Sequence, residues 1–275
     1  MKLHTKPFSI YLVYVWLILF AIVPVFFILI ISLLSDDSVK LVSLPWTLHH
    51  YTELFSPVFL HIFFRSISIA LFATLGCLLL AYPFTYIVVK SNYQGLWLSL
   101  IIIPFWTSSL IRTYSMIAIL KMNGILNHAL LALHLIDQPK TFLYSNFAVM
   151  CGLVYNLFPF MVLPLFSNME RFDFRLIEAA KDLGAKRLTI FFRVFLPNTA
   201  QGIISGCLMI FLPAMTLFYI PYILGGSRSM LLGNLIQNQF LVTENWPAGA
   251  ATSIILTLTL IFLLFFYRPK QELEQ

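Results

Sequence analysis

EAAKDLGAKRLTIFFRVFLP, residues 178–197, is out of character with the chain around it. Only 10% of the residues are charged, yet ten of the 28 Asp, Glu, Lys and Arg side chains fall between Glu170 and Arg193. A stretch so rich in ionisable groups must face water, because an unpaired charge taken out of water is costly. The rest of the sequence runs the other way. Hydrophobic residues make up 60% of the 275, and the mean hydropathy is +0.90, more than a water-facing surface sustains. Charge-free runs cover 8–35, 66–89, 91–111, 141–169, 194–227 and 245–267. Each reaches the length of about 20 residues that a helix needs to cross a bilayer. The chain is therefore read as an all-α polytopic membrane protein with six transmembrane helices, about 8–34, 61–89, 95–119, 145–167, 199–224 and 247–267, and one large polar loop, 168–197.

Charge placement gives the orientation. The net charge is +6, which in a soluble chain would raise nucleic acid as a partner. Here Lys2, Lys6, Lys90, Arg171, Arg175, Lys181, Lys186, Arg187, Arg193, Arg268 and Lys270 share one face, eleven of the seventeen Lys and Arg residues. That bias puts both termini and 168–197 in the cytoplasm and excludes nucleic acid. The first run is too long for a signal-peptide core and lacks a small-residue cleavage site near Leu33-Leu34-Ser35-Asp36, so it is expected to stay as an anchor.

Outside the spans, 36–60 carries Pro45, Pro57, Asp36, Asp37 and Glu53 and reads as irregular and water-facing. Two apolar stretches, MNGILNHALLALHLI (122–136) and SMLLGNLIQNQFLVT (229–243), are too short to cross comfortably and are expected to be interfacial or re-entrant helices. Inside the spans, Pro24, Pro83, Pro104, Pro159, Pro164, Pro213 and Pro221 each remove a backbone donor and bend their helices.

The opening stretch reads as two short helices lying off the membrane. Ser167-x-x-Glu170 has the form of a capping box, and Asp173 is a second N-cap candidate ahead of FRLIEAAKDL. Leu176, Ala179, Ala180 and Leu183 fall at i, i+3, i+4 and i+7 and form one apolar stripe. Gly184 suits a left-handed C-cap better than a helix interior. Pro197 is expected to end the second helix before the fifth span begins.

The whole spacing, E-A-A, three residues, Gly, nine residues, V-x-L-P, resembles the EAA motif of bacterial ABC importer permeases, with Val194 in the isoleucine place. The resemblance implies a type I, MetI-like permease fold. It implies that Glu178, Ala179, Ala180 and Gly184 form a coupling helix that seats in a separate ATPase. It implies that ATP and Mg are bound by that ATPase dimer and no cofactor by this chain, which has no G-x-x-x-x-G-K-[ST] sequence. It further implies a second related permease, a periplasmic or extracellular substrate-binding protein, and residence in the bacterial inner membrane.

Across nearly the whole chain the sequence is similar to one subgroup, the B-type spermidine/putrescine permeases. The similarity is carried by YTELFSP (51–57), PFWTSSLIRTY (104–114), GLVYNLFPFMVLPLFSNMERFD (152–173), GCLMIFLPAM (206–215) and NWPAGAATS (245–253). A linear polycation is held by carboxylates and aromatic faces, each cation–ring contact contributing about 0.5 to 2 kcal/mol. The candidate pathway residues are therefore Phe105, Trp106, Tyr155, Phe158, Tyr219 and Tyr222, with Phe218 beside them. No Asp or Glu lies inside a span, and Tyr222 in FYIPYILGG stands where the family pattern has an acid. Guidance of the cation then falls to the partner permease, to the binding protein, or to Glu244 near Trp246 and Pro247.

Arg112 is the lone charge interrupting an apolar span and is expected to snorkel to the outer interface, with Arg65 a second outer anchor. Cys77, Cys151 and Cys207 lie within apolar runs and read as buried thiols. The six histidines show no metal-ligand spacing on an expected helix face, so no metal and no catalytic base is assigned. Two other functions stay open at this point. One is the same machine working on another small solute. The other is a self-contained secondary transporter, which would need ionisable groups at membrane depth and would transport without an ATPase.

Overall fold

The computed structural model describes residues 7–36 and 42–266; Lys2, Lys6, Asp37, Arg268 and Lys270 lie outside them. Among the described residues, six helices are long and apolar enough to cross a membrane: Tyr11–Ile31, Pro57–Lys90, Ser109–Ala132, Asn146–Glu170, Arg187–Thr216 and Trp246–Phe265. The helical segments are α1 (Pro7–Leu17), α2 (Val23–Ile31), α3 (His49–Glu53), α4 (Pro57–Lys90), α5 (Gln94–Ile102), α6 (Ser109–Leu120) and α7 (Ile125–Ala132). They continue with α8 (Asn146–Glu170), α9 (Arg175–Asp182), α10 (Arg187–Ile190), α11 (Leu196–Thr216), α12 (Leu232–Leu241) and α13 (Trp246–Phe266). The described residues divide into two compact units, 7–61 with 235–266, and 62–234.

In the first unit α13 packs against α2 and against the short α3. The segment expected to be irregular, 36–60, instead holds β2 (Ser43–Trp46), paired antiparallel with β1 (Leu34–Ser35) just before it, and then α3. A polar pair fixes this end of α2: Ser32, fully buried, shares a 2.7 Å hydrogen bond with the Tyr51 hydroxyl. Gly249 meets the ring of Phe240, where a Cβ would come within 2.9 Å of ring carbon.

The second unit is built on α8 and α11. Ser145 caps α8, its hydroxyl accepting from the Ala148 amide at 3.2 Å. Gly202 and Gly206, four residues apart on α11, put a bare backbone face against α8: a Cβ at Gly206 would lie 2.5 Å from Met161 Sδ, and one at Gly202 2.8 Å from Asn168 Cβ. This small-x-x-x-small spacing is how membrane helices approach closely when lipid offers no hydrophobic drive for association. Tyr82 on α4 and Thr199 on α11 share a 2.9 Å hydroxyl hydrogen bond.

Three expectations about helix boundaries change. The span expected as one helix over 95–119 is broken: α5 ends in a 3-10 turn, Ile103–Trp106, and Thr107 and Ser108 are extended before α6 begins. Pro104 lacks the amide that would continue α5, and Ser108 resets the helix. Second, Ser167 and Glu170 lie inside α8, so the capping box does not form; the helix runs to Glu170. Third, Pro197 ends nothing. Arg187–Thr216 is one continuous helix in which a π-turn, Phe191–Phe195, precedes the proline and the Leu196 amide reaches back to the Phe191 carbonyl. Widening the turn relieves the clash between the proline ring and the carbonyl four residues earlier. The same device stands before Pro24, where the Val23 amide reaches Ile18 across the π-turn Ile18–Ile22.

The two short apolar stretches become α7 and α12. The start of α12 is packed into the protein: Leu231 and Leu232 are fully buried, the Leu232 amide donates to Ser66 Oγ at 2.9 Å, and Asn234 Nδ2 donates to the Phe218 carbonyl at 2.7 Å. Arg65 does more than anchor an interface. Its Nη2 donates to Asn146 Oδ1 at 2.6 Å and lies 3.5 Å from Ser229 Oγ, tying α4 to the start of α8.

Candidate functional site

Two places in the second unit gather the residues singled out above. The first is the polar elbow between α8 and α10. Asp173 Oδ1 accepts from the Arg175 amide at 3.0 Å and from Arg175 Nε at 3.1 Å, which starts α9. These bonds to the ionised form, the backbone one foremost, hold the Asp173 carboxyl below its ordinary pKa. At the far end the Gly184 amide donates to the Lys181 carbonyl at 2.8 Å and the Ala185 amide to the Ala180 carbonyl at 3.0 Å. That pair of bonds is the Schellman closure, and it needs the left-handed residue that Gly184 supplies at φ +76°.

The elbow is anchored by aromatic rings rather than by ion pairs. Phe195 of the π-turn sits 5.2 Å from Phe172 and 5.3 Å from Tyr86, centroid to centroid. Lys90 Nζ lies 4.6 Å from the Tyr86 ring and 5.3 Å from that of Phe174, so the last charge of α4 is stacked on the elbow itself. Behind the elbow lies a cavity of about 920 Å³ lined by Tyr82, Tyr86, Ile177, Lys181, Arg187 and Phe195 among others.

What the elbow shows outward is the predicted stripe. Glu178, Ala179 and Gly184 are exposed and Ala180 is half-buried. Leu176 is 47% and Leu183 89% exposed. No residue of α9 is buried. An amphipathic helix normally buries its apolar stripe; this one leaves Leu176, Ala179 and Leu183 exposed and Ala180 only half-buried.

The second place is a cavity of about 720 Å³ between α4, α5 and α8, lined by Phe105, Arg112, Tyr155 and Phe158 with Gly76, Leu100 and Met150 among others. Three of the seven expected pathway residues, Phe105, Tyr155 and Phe158, thus converge. The other four do not join them. Trp106, next to Phe105, is 84% exposed. The Tyr219 hydroxyl donates to Ser109 Oγ at 3.0 Å and so is committed to the start of α6. Tyr222, on the π-turn Pro221–Gly225, is 70% exposed. Glu244 is exposed in the other unit, with φ +54°.

Arg112 corrects the sequence reading most. It does not snorkel: it is 8% exposed. Its guanidinium carbon lies 4.1 Å from the centroid of Phe105 and 5.8 Å from that of Tyr155, and its Nε is buried with no hydrogen-bond partner. The helix break at 103–108 is the reason, since it brings Phe105 back beside the first turn of α6, where a straight helix would have aimed Arg112 outward. Beside it Asn156 Nδ2 donates to Thr113 Oγ1 at 3.3 Å and to the Gly152 carbonyl at 3.0 Å. The Arg112 stack, the Asn156–Thr113 link and the Phe172–Phe174–Phe195 anchor were missed in the sequence. Only Gly202-x-x-x-Gly206 offered a spacing that reading could have used.

The histidines also come out differently. His49, His50 and Glu53 present donor atoms within 4.8 Å of one another. The sequence hid this because 36–60 read as irregular, and the spacing acquires meaning only once α3 exists.

Comparison with known proteins follows the same lines as the geometry. No family model matches the chain. Among curated proteins it is 44% identical over 278 residues to the spermidine/putrescine transport system permease protein PotB of Haemophilus influenzae, covering 99% of this chain and 97% of that protein. It is 44% identical to PotB of Escherichia coli, covering 94% and 96%. It is 26% identical to the E. coli inner membrane ABC transporter permease protein YdcU, covering 85% and 79%. Among solved structures it superposes on a chain of a bacterial alginate ABC transporter, in complex with an alginate-bound periplasmic protein, with a TM-score of 0.74 at 14% identity, covering 94% and 90% of the two chains. A second alginate importer structure gives a TM-score of 0.69 at 17% identity.

Proposed function

Since the chain belongs to the PotB family of spermidine/putrescine transport system permeases, we propose that it is the passive membrane subunit of an ATP-driven importer that carries polyamines inward. The observation that carries this reading is α9: an amphipathic helix closed by a Schellman turn, with no buried residue and with Leu176, Ala179 and Leu183 of its apolar stripe exposed among the described residues. In the proposal that stripe seats in a separate ATPase, with Ala179 and Ala180 giving close approach, Glu178 a charged contact and Gly184 the turn. ATP and Mg belong to the ATPase dimer, and this chain performs no catalysis. Both termini and the elbow lie in the cytoplasm of a bacterium, the spans lie in its inner membrane, and a second, related permease and a periplasmic binding protein complete the machine.

The polyamine pathway is proposed along the α5–α6 break. The faces of Phe105 and Tyr155, the rings best placed for an ammonium, are stacked on Arg112. An incoming cation therefore meets a site held by the chain's own cation, and must either displace Arg112 or pass along Trp106 and Tyr222, which are exposed. The acid missing from the spans is supplied by the partners, with Glu244 as this chain's own contribution.

The assembled complex tests the reading. Co-expression with the neighbouring permease and ATPase should yield one complex whose ATPase activity rises with spermidine-loaded binding protein and falls on Glu244→Gln. Polyamine uptake into liposomes by this chain alone would instead make it a self-contained carrier and overturn the assignment; no change on Glu244→Gln removes that residue from the pathway.

A further inference from the structure

The cluster on α3 belongs to neither place described above. His50 is 7% exposed, and among the described residues its Nδ1 has no hydrogen-bond partner. A buried polar atom left unpaired is rare in native proteins and calls for a missing partner. Glu53, 56% exposed, faces it: Oε2 lies 3.8 Å from His50 Nδ1, and Oε1 lies 3.5 Å from Nδ1 of the exposed His49. Both separations exceed the roughly 3.2 Å limit of an N–H···O hydrogen bond. They come close to another length. An ion with bonds of about 2.0 to 2.1 Å to nitrogen and oxygen holds tetrahedrally placed donors about 3.3 to 3.4 Å apart.

We propose that His49, His50 and Glu53 form a site for a divalent transition-metal ion of the zinc class, with the remaining coordination position open to water. Two imidazoles and one carboxylate are a donor set that zinc accepts in proteins, commonly with water in the fourth place. The fold supports the arrangement from behind. Tyr51, between the ligands in sequence, is held by the buried Ser32 hydroxyl, and α3 packs against α13, so the backbone that carries the three donors is fixed before a metal arrives. His50 supplies the buried ligand, while His49 and Glu53 close over the ion from the exposed side. A bound ion would satisfy the orphaned nitrogen and hold a five-residue helix whose N-cap residue, Leu48, makes no side-chain cap bond.

The test uses the full chain, purified in lipid nanodiscs without a polyhistidine tag and stripped with a chelator, with zinc alone as titrant and cobalt as a spectroscopic stand-in. One zinc per chain is expected, with a visible cobalt band of low coordination number. His49→Ala and Glu53→Gln, both at exposed positions where folding is not at stake, should each weaken zinc binding at least about tenfold. His128→Ala and His134→Ala should leave it unchanged. No zinc uptake, or uptake indifferent to both His49→Ala and Glu53→Gln, overturns the site and leaves a His50–Glu53 hydrogen bond as the content of the gap.

Discussion

The elbow and the α4–α5–α8 cavity are opposite solutions to placing charge in an apolar chain. Around the elbow the charges stand in water: Asp173 and Arg175 pair at the surface, and Lys90 is the one cation held on rings. In the cavity one cation, Arg112, is buried among apolar and aromatic side chains with its Nε unpartnered. The difference teaches that exposure, more than charge density, separates the two places, and the proposed docking at the elbow rests on that exposure. The elbow surrounds an exposed apolar stripe with polar residues, while the cavity holds a largely buried charge on aromatic faces.

The sharpest way to break this contrast is at Ala179. Its side chain is exposed on a helix that has no buried residue, so Ala179→Trp should leave the melting temperature of the chain within about a degree or two, as surface changes usually do. Transport by the complex should nevertheless fall by two orders of magnitude or more, as would follow from blocking a docked surface. A parallel fall in melting temperature would place Ala179 in the fold rather than at a contact.

Gly184→Ala is the next test. Nothing lies within 4 Å of the added Cβ, so the whole cost is the left-handed backbone, roughly 1 to 2 kcal/mol for a non-glycine residue. Coupling should drop on the order of tenfold, and Gly184→Asn, which tolerates that conformation better, should recover part of it. Equal activity for all three residues would mean that the turn does not set the helix.

In the cavity the matching comparison is between neighbours. Phe105→Ala removes the ring under Arg112 and should destabilise the chain by about 2 kcal/mol, the upper range for a desolvated cation–ring contact. Trp106→Ala, at an 84% exposed side chain, should shift stability by less than about 0.5 kcal/mol. Thermal melts of the two variants in the same detergent decide it, and equal shifts would mean that Arg112 is not held by Phe105.

These cases show what the sequence made legible. The elbow was readable to single residues because its signals are local: an i, i+3, i+4, i+7 stripe and a glycine where a left-handed cap belongs. Its entry was misread because Ser167 and Glu170 have the right spacing but sit inside α8, whose packing against α11 carries the helix three residues past the expected end. The cavity was only half legible. Phe105, Tyr155 and Phe158 were named for their rings and Pro104 for a bend, but a proline does not by itself distinguish a kink from the full break at 103–108, with which Arg112 lies buried and Trp106 exposed. Pro197 was misjudged for a related reason, since a π-turn absorbs its ring without ending the helix.

The smallest expected effect lies at Asp173. Its carboxyl is held below the usual range, first by the Arg175 amide and then by the Arg175 side chain. A depressed folded-state pKa means that the contribution to α9 is present above the unfolded value of about 3.9 and is lost as pH falls below it through the lowered one. Asp173→Asn keeps an acceptor for the amide but removes the charge, so it should flatten that acid dependence with little effect at neutral pH. Protease sensitivity of the elbow across pH 5 to about pH 2 is the readout, and identical profiles would sever Asp173 from the start of α9.

The side on which the elbow lies is the point everything else rests on. With Cys77, Cys151 and Cys207 replaced by Ala, Lys181→Cys should react with a membrane-impermeant maleimide in inverted vesicles and not in intact cells, and the bound ATPase should protect it. Labelling in intact cells, or labelling in inverted vesicles that the ATPase leaves unchanged, would contradict the account.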